Sequence, residues 1–441
     1  MVQHHAEYVA RGVSRRDFLG FSAGAAAAGI AGGLSIARSA HAAGSDVLKI
    51  GLIGCGGRGA GAAVNAMNAD KNAKLVAMAD VFEERVKGAR IQLQKEMLNQ
   101  VAVSDDHCFV GFDAYQKVIA SGVDVVLIAC ASKFHPVYLK AAVDAGKHVF
   151  VEKPHAIDPP GVHLVEKACE VAKQKNLSVV SGLCWRYDKG VQETIKRVLD
   201  GAIGEIVAIQ ETYMRSPYRL EERRKDDTEL QAQFRNWYHF NWLSGDDVPQ
   251  SLLHSMDKGC WALREQTPAS AFASAGRSSC FGPVYGDVFD HGAIVYEYAN
   301  GARIYALCRT EAGCYDNATD VVMGTKGRCY LGECRIEGEN KWKFAGQHNN
   351  PYLAEQKALV DSVLNGKPIN SGYHMANSTL FGVLGQLACY SGKPITFEEA
   401  AKSNFRFGPA PEESNFDTPA PTRPDGTGNY PLPLPGVTKL L

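Results

Sequence analysis

The 441-residue chain has no excess of charge of either sign: 47 Lys and Arg against 48 Asp and Glu leave a formal net charge of −1. That balance excludes the broad basic surface that holds nucleic acid or an anionic membrane. Twelve cysteines are present but none forms a CxxC pair, so reduced, mostly buried thiols are expected and no metal site. The closely placed Cys308, Cys314, Cys329 and Cys334 leave pairing in an oxidising compartment open. Beyond the first 43 residues the chain also lacks any apolar run long enough to span a bilayer.

Those first residues stand apart. Arg15 and Arg16 precede Phe18 and Leu19, an Ala/Gly-rich run extends to about Ala37, and Ala40-His41-Ala42 offers small residues at signal-peptidase spacing. The pattern S-R-R-x-F-L resembles a twin-arginine signal, and the weak hydrophobicity of the run suits that route better than a stable span. Residues 1–43 are therefore expected to be an export signal, with a periplasmic or otherwise exported product. An ordinary signal peptide and an uncleaved anchor are the other readings.

From Val47 short apolar runs alternate with amphipathic stretches, the pattern of a parallel sheet with crossover helices. Strands "VLKIGLIG", "AKLVAMAD", "VDVVLIAC", "HVFVEKP" and "LSVVSGL" with their helices make a dinucleotide-type Rossmann domain over residues 44–183. Residues 184–403 carry strands without long intervening helices, including a hairpin at Asn300-Gly301. They predict a second α/β domain with an open, mainly antiparallel sheet that carries substrate and oligomer contacts. The charged segment "YRLEERRKDDTELQAQ" reads as a solvated excursion. Residues 404–441 hold eight of the 19 prolines and predict an extended arm, disordered or draped on a neighbour.

Three places carry chemistry. Gly54-x-Gly56-Gly57-Arg58-Gly59 lies between a predicted strand and helix, where glycines permit a tight turn, backbone approach to a pyrophosphate and close helix packing. Asp80 ends the second strand, 21 residues past Gly59. A carboxylate there binds a ribose diol and repels a 2′-phosphate, so NAD is favoured over NADP, with Arg58 the one feature pointing the other way. Glu152-Lys153-Pro154 closes a strand at its carboxyl end, where open parallel sheets bind ligands. A lysine there can hold a substrate hydroxyl and stabilise a developing alkoxide. In "QSLLHSMDKGCWAL", His254 and Asp257 share a helical face, and an imidazole can take a hydroxyl proton as hydride leaves the same carbon.

Together, Gly54-x-Gly56, Asp80, "SKFHPVYLKAAVDAGKHVFVEKP" and "HSMDKGCWAL" resemble the glucose–fructose oxidoreductase/inositol dehydrogenase/rhizopine-catabolism (Gfo/Idh/MocA) family, over roughly residues 47 to 400. The resemblance implies an NAD-dependent oxidoreductase of sugars or polyols, homo-oligomeric, with Lys153 as catalytic lysine and His254 as the proton-transfer histidine. It also implies cofactor contacts from His135, Glu152 and the Arg186-Tyr187 segment. Dehydrogenases of this family often carry an aspartate four residues before the histidine. Here that position is Gln250, which cannot exchange a proton, so either Asp257 orients His254 or the proton chemistry differs.

An exported NAD enzyme has little free NAD to exchange. It either reoxidises NADH with a second sugar or returns the same hydride to the same molecule. The second route fits glycoside cleavage, because oxidising a hydroxyl acidifies the neighbouring C–H and permits elimination of the aglycone. The expectation is an oxidoreductase acting on a sugar, polyol or glycoside with tightly held NAD. An ordinary dehydrogenase with exchangeable NAD and a non-catalytic binding protein are the rivals. Trp185, Trp237, Tyr238 and Trp242 are candidates to stack on sugar rings.

Overall fold

A computed structural model describes residues 47–440. The export-signal segment lies outside the described residues. No described helix is long and apolar enough to cross a membrane.

The first sheet is parallel throughout, in the order β3 (Cys108–Val110), β2 (Ala73–Asp80), β1 (Leu48–Ile53), β4 (Val125–Ile128), β5 (His148–Val151), β6 (Val179–Ser181). β1 and β4 are buried almost along their whole length, as strands covered by helices on both faces must be. The order reverses between β1 and β4, which opens a crevice at their carboxyl ends. Glycine-rich turn, Asp80 and the Glu152–Pro154 turn all emerge at that edge.

The second sheet has nine strands in the order β14 (Trp342–Lys343), β13 (Arg335–Gly338), β12 (Gly327–Tyr330), β11 (Asn317–Gly324), β7 (Ile206–Arg215), β10 (Arg303–Thr310), β9 (His291–Glu297), β8 (Ser270–Gly276), β15 (Ile395–Thr396). Only β7 and β10 run parallel; every other pairing is antiparallel. Helices Leu253–Ala262 and Gly372–Ser391 cover one face. Phe272, Val295 and Tyr305 lie in cross-strand register on the other, where Phe272 and Tyr305 remain exposed. The Asn300-Gly301 hairpin joins β9 to β10, with Gly301 at φ +87°.

Three segments depart from the sequence reading. Helix Pro351–Leu364, placed by sequence in the second domain, packs its Leu359, Val360 and Val363 into the first domain's core against the helix Gly57–Ala69 and beside β5 and β6. The charged excursion is anchored rather than solvated. Arg85 pairs with Glu221 at 3.2 Å, Glu84 takes Arg224 at 2.8 Å and Arg235 at 2.5 Å, and Leu230 and Phe234 are buried. Opposite charges on two segments neutralise each other there, a long-range pairing that a charge run read by itself does not reveal.

The proline-rich arm lies on its own chain. Phe407 and Tyr430 are buried, Gln233 donates to the Thr422 carbonyl at 2.8 Å, and Lys133 donates to that of Phe407. Phe416 joins an aromatic cluster with Phe82, Phe112 and Phe234, ring centroids 4.8–5.8 Å apart. Prolines forbid ladder hydrogen bonds, but the aromatics between them supply the burial. All twelve cysteines are free thiols, and only Cys314 is exposed.

Candidate active site

Two adjoining cavities run along the crevice and share Ala129, Cys130 and Trp237. The smaller, about 80 Å³, is lined by Gly54, Gly56, Asp80, Phe82, Arg85 and Tyr138 among others. At two positions the turn that borders it has no room for a side chain. Gly54 sits at φ +97°, where a Cβ would meet the Ala129 carbonyl at 2.5 Å, and a Cβ on Gly59 would lie 1.9 Å from the Gly54 oxygen. By contrast Gly56 and Gly57 face open space. The helix beginning at Gly57 has no side-chain cap, so its first N–H groups are available to a phosphate. Asp80 accepts from the Cys55 and Phe82 N–H groups at 2.8 and 3.1 Å. Burial raises its pKa, against those hydrogen bonds. These residues fit a dinucleotide: small where backbone must approach, acidic where a ribose would lie.

Arg58 does not face this groove. It forms ion pairs with Glu152 and with Glu355, the latter at 2.9 Å, and lies over the Tyr352 ring. The sequence argument that set it against NAD therefore loses its geometry, while Arg85 lies beside Asp80 instead. Glu355 is fully buried and its carboxyl is pushed well up by burial and by Glu152. This cluster ties the Rossmann turn to helix Pro351–Leu364.

The larger cavity, about 510 Å³, gathers Lys153, Glu152, His135 and His254 from the sequence prediction. Lys153 follows β5 through a turn whose Lys153–Pro154 bond is cis, and its Nζ donates to the Gln250 carbonyl at 2.5 Å. Desolvation lowers its pKa, with Glu152 opposing. His135 braces the turn, with Nδ1 2.7 Å from the Pro154 carbonyl and Nε2 3.0 Å from that of Cys130. Burial lowers its pKa to about 4, while the two carbonyl oxygens at its ring nitrogens pull the other way.

His254 lies just past a π-helical turn, Val248–Leu252, that leads into helix Leu253–Ala262; such turns recur at functional sites. Its Nδ1 is buried without a hydrogen-bond partner. Desolvation first, then the Lys153 charge, holds its pKa well below the usual imidazole value. The ring is thus neutral at physiological pH and able to accept a proton.

Asp257 and Arg186 are placed elsewhere. Asp257 grips Arg186 through bonds of 2.8–3.0 Å and accepts from Ser378 at 2.7 Å. Arg186 also reaches Glu265 at 3.0 Å and stacks on Trp261. Neither residue lines the cavities. Asp257 does not orient His254, and Arg186 is committed to a buried ion pair rather than to a cofactor. Gln250 faces Ser132 with its side chain at 3.0 Å and offers Lys153 only its backbone.

Trp185, Trp237 and Tyr238 line the cavity, whereas Trp242 is core, its indole N–H bonded to Gln233. Sequence reasoning missed Lys258, Asp320, Tyr213 and Tyr218, which line the same space. Lys258 and Asp320 form an ion pair, and Lys258 lies 5.3 Å from the Trp185 ring. Lys258 stands four residues past His254, a helical spacing that marks one face. Asp320 and Tyr218 have no such local signal, since β11 and the loop after β7 bring them in.

Fold and site together define a two-domain dinucleotide-binding architecture, with its lysine and histidine over the crevice and an open sheet forming the far wall. Residues 48–183 match the family described as oxidoreductase family, NAD-binding Rossmann fold (Gfo/Idh/MocA). It is 33% identical over 163 residues to inositol 2-dehydrogenase/D-chiro-inositol 3-dehydrogenase of Halalkalibacterium halodurans, covering 37% of this chain and 43% of that one. It is 26% identical over 277 residues to glycosyl hydrolase family 109 protein 1 of Bacteroides fragilis, covering 61% and 54%. The matches thus span about half the length of these two relatives. Scyllo-inositol dehydrogenase from Lactobacillus casei, solved with NAD(H) and scyllo-inositol, shares the fold at a TM-score of 0.60 and 22% identity, over 80% of this chain and 99% of that one.

Proposed function

We propose that this chain oxidises a hydroxyl of a sugar, polyol or glycoside with an NAD that stays bound, and that it works outside the cytoplasm after twin-arginine export. The observation that carries the reading is the convergence of Lys153 and the unpartnered His254 on one cavity continuous with the glycine cradle. NAD, when bound, supplies the hydride acceptor. Lys153 holds the reacting hydroxyl and favours its alkoxide character. His254, kept neutral by desolvation, takes the hydroxyl proton on a ring nitrogen. Trp185, Trp237 and Tyr238 give flat apolar surfaces suited to a pyranose face.

Retention has physical support. Segment 216–240 and the arm buttress the adenosine side: Arg235 lies over Phe82 at 4.0 Å, and Phe416 packs on the same ring at 5.5 Å. Phe82, Phe234 and Trp237 themselves line the groove, so this buttressing holds its wall in place against a bound nucleotide. Asp80 at the strand end, with Arg58 turned away, supports NAD over NADP, and Arg85 on the same groove is the one charge that works against it. The name of the Bacteroides fragilis relative favours the sharper version, in which the hydride returns to the same sugar and a glycosidic bond is cut without net redox. The exposed Phe272–Tyr305 row supports a homo-oligomer built on the open sheet face.

The test uses protein purified without added cofactor, mixed with a panel of monosaccharides, polyols and aryl glycosides. A transient rise in reduced-nicotinamide absorbance, with aglycone release from a glycoside, supports the redox-neutral version. A stable rise without cleavage leaves an oxidoreductase that needs a second sugar to turn over. No change with any of them, from protein carrying NAD, favours a binding role and sinks the proposal.

A further inference from the structure

On the wall of the large cavity three side chains from distant segments meet. The carboxylate oxygen of Asp188, the Sγ of Cys334 and a ring nitrogen of His348 lie within 4.8 Å of one another, and all three residues line the cavity. We propose that they form a binding site for a zinc-class divalent cation, with one position open to the substrate cavity.

Asp188 precedes helix Lys189–Leu199 and spends Oδ1 on capping the Val191 N–H at 2.8 Å; Oδ2 has no hydrogen-bond partner among the described residues. Cys334 follows a short turn and adopts a left-handed conformation at φ +49° that is uncommon for a side chain other than glycine. Its Sγ makes a long contact with the Leu331 carbonyl at 3.5 Å and a side-chain hydrogen bond with Thr194. His348 sits on a loop, its ring against Phe344 at 5.0 Å and without a hydrogen bond to either nitrogen. Asp188 and Cys334 are buried and His348 is exposed, so an ion could enter from the His348 side.

Gly190 makes the convergence possible. A Cβ there would stand 2.7 Å from the Cys334 Sγ and 2.8 Å from the His348 ring. A carboxylate, a thiolate and an imidazole suit zinc better than magnesium or calcium, which prefer oxygen ligands alone. Three protein ligands with a fourth position open is the arrangement of zinc sites that bind water or substrate. The fourth ligand would be water or a sugar hydroxyl in the cavity the three ligands share with Lys153. A second grouping, Asp290, His291 and Glu311, carries no such argument, because Asp290 already accepts three backbone N–H groups and Glu311 a serine hydroxyl.

The site does not depend on which sugar is processed, and its test needs no substrate. Mature protein is stripped with a chelator and titrated with Co²⁺, then Zn²⁺, following visible ligand-field bands and metal content per chain. One tetrahedral Co²⁺ with thiolate character, displaced by Zn²⁺, is expected. His348→Ala, at an exposed position, and Cys334→Ser should each weaken binding by more than about 100-fold, beyond the loss of an outer-shell partner. Gly190→Ala, which keeps all three ligands, should weaken it as well. The proposal is overturned if no Co²⁺ binds to folded wild-type protein. Retention of affinity in His348→Ala overturns it equally, because the ion would then sit elsewhere.

Discussion

The adenosine groove and the large cavity lie side by side, but they are built in opposite ways. The groove's glycine and acidic contacts are chain-local: one strand–turn–helix supplies Gly54 to Gly59, and the next strand ends in Asp80, while Tyr138, Phe234 and Trp237 close its outer walls from farther along the chain. The cavity is made by assembly. Lys153 comes from the Rossmann sheet, His254 from a helix over the second sheet, Tyr213 and Asp320 from its strands, and Tyr352 from a helix that returns to the first domain. A cofactor common to many reactions can be held by a motif fixed in sequence. A substrate surface built from many segments can change one segment at a time while the cradle stays.

The comparison can be broken most severely at Lys153. Lys153→Met should lower kcat by about 10³-fold and leave NAD content unchanged, as read by turnover and by released dinucleotide. Because desolvation lowers the lysine pKa, any activity that needs the ammonium is lost as pH rises through that lowered value. The alkaline limb of the wild-type profile should therefore fall below the ordinary lysine range and be absent from the variant.

Asp257 offers the next largest effect and a different kind. Asp257→Asn leaves Arg186 short of a buried partner and should destabilise the fold by about 3 kcal/mol, measured by denaturant titration. The acid limb of its kcat profile should not move. A shift of that limb would return Asp257 to the proton path.

His254→Asn should reduce kcat by about 10²-fold. The wild-type histidine has a lowered pKa, so it is neutral above that value and loses base function only as pH falls through it. The acid limb of kcat should then lie below the unperturbed imidazole value of about 6.5 and vanish in the variant. A wild-type limb at or above that value contradicts the neutral-histidine assignment. The smallest effect is expected at Phe416→Ala. Loss of its edge-to-face contacts with Phe112 and Phe234 should speed NAD release about tenfold, read by dilution into an NAD trap.

The same contrast explains what could be read from the chain alone. The Rossmann half was legible because buried parallel strands are continuous apolar runs and the glycines have local steric causes. Lys153 and His254 were legible by type and by position on an element. The partners of those residues were not. Asp257 shares a helical face with His254, yet a bidentate Arg186 from a distant turn claims it. Arg58 sits in the phosphate turn, yet Glu152 and Glu355 draw it toward the other end. The arm's composition predicts an extended segment, but its seat depends on Phe416 finding an aromatic cluster far away in sequence. Charge pairing and aromatic packing between remote segments leave no periodic trace.

The most direct test of a cofactor held for repeated use is its stoichiometry. Mature protein, purified without added NAD and then denatured, should release close to one nicotinamide dinucleotide per chain. A value near zero, with weak rebinding, would mean that NAD exchanges freely and would contradict the account.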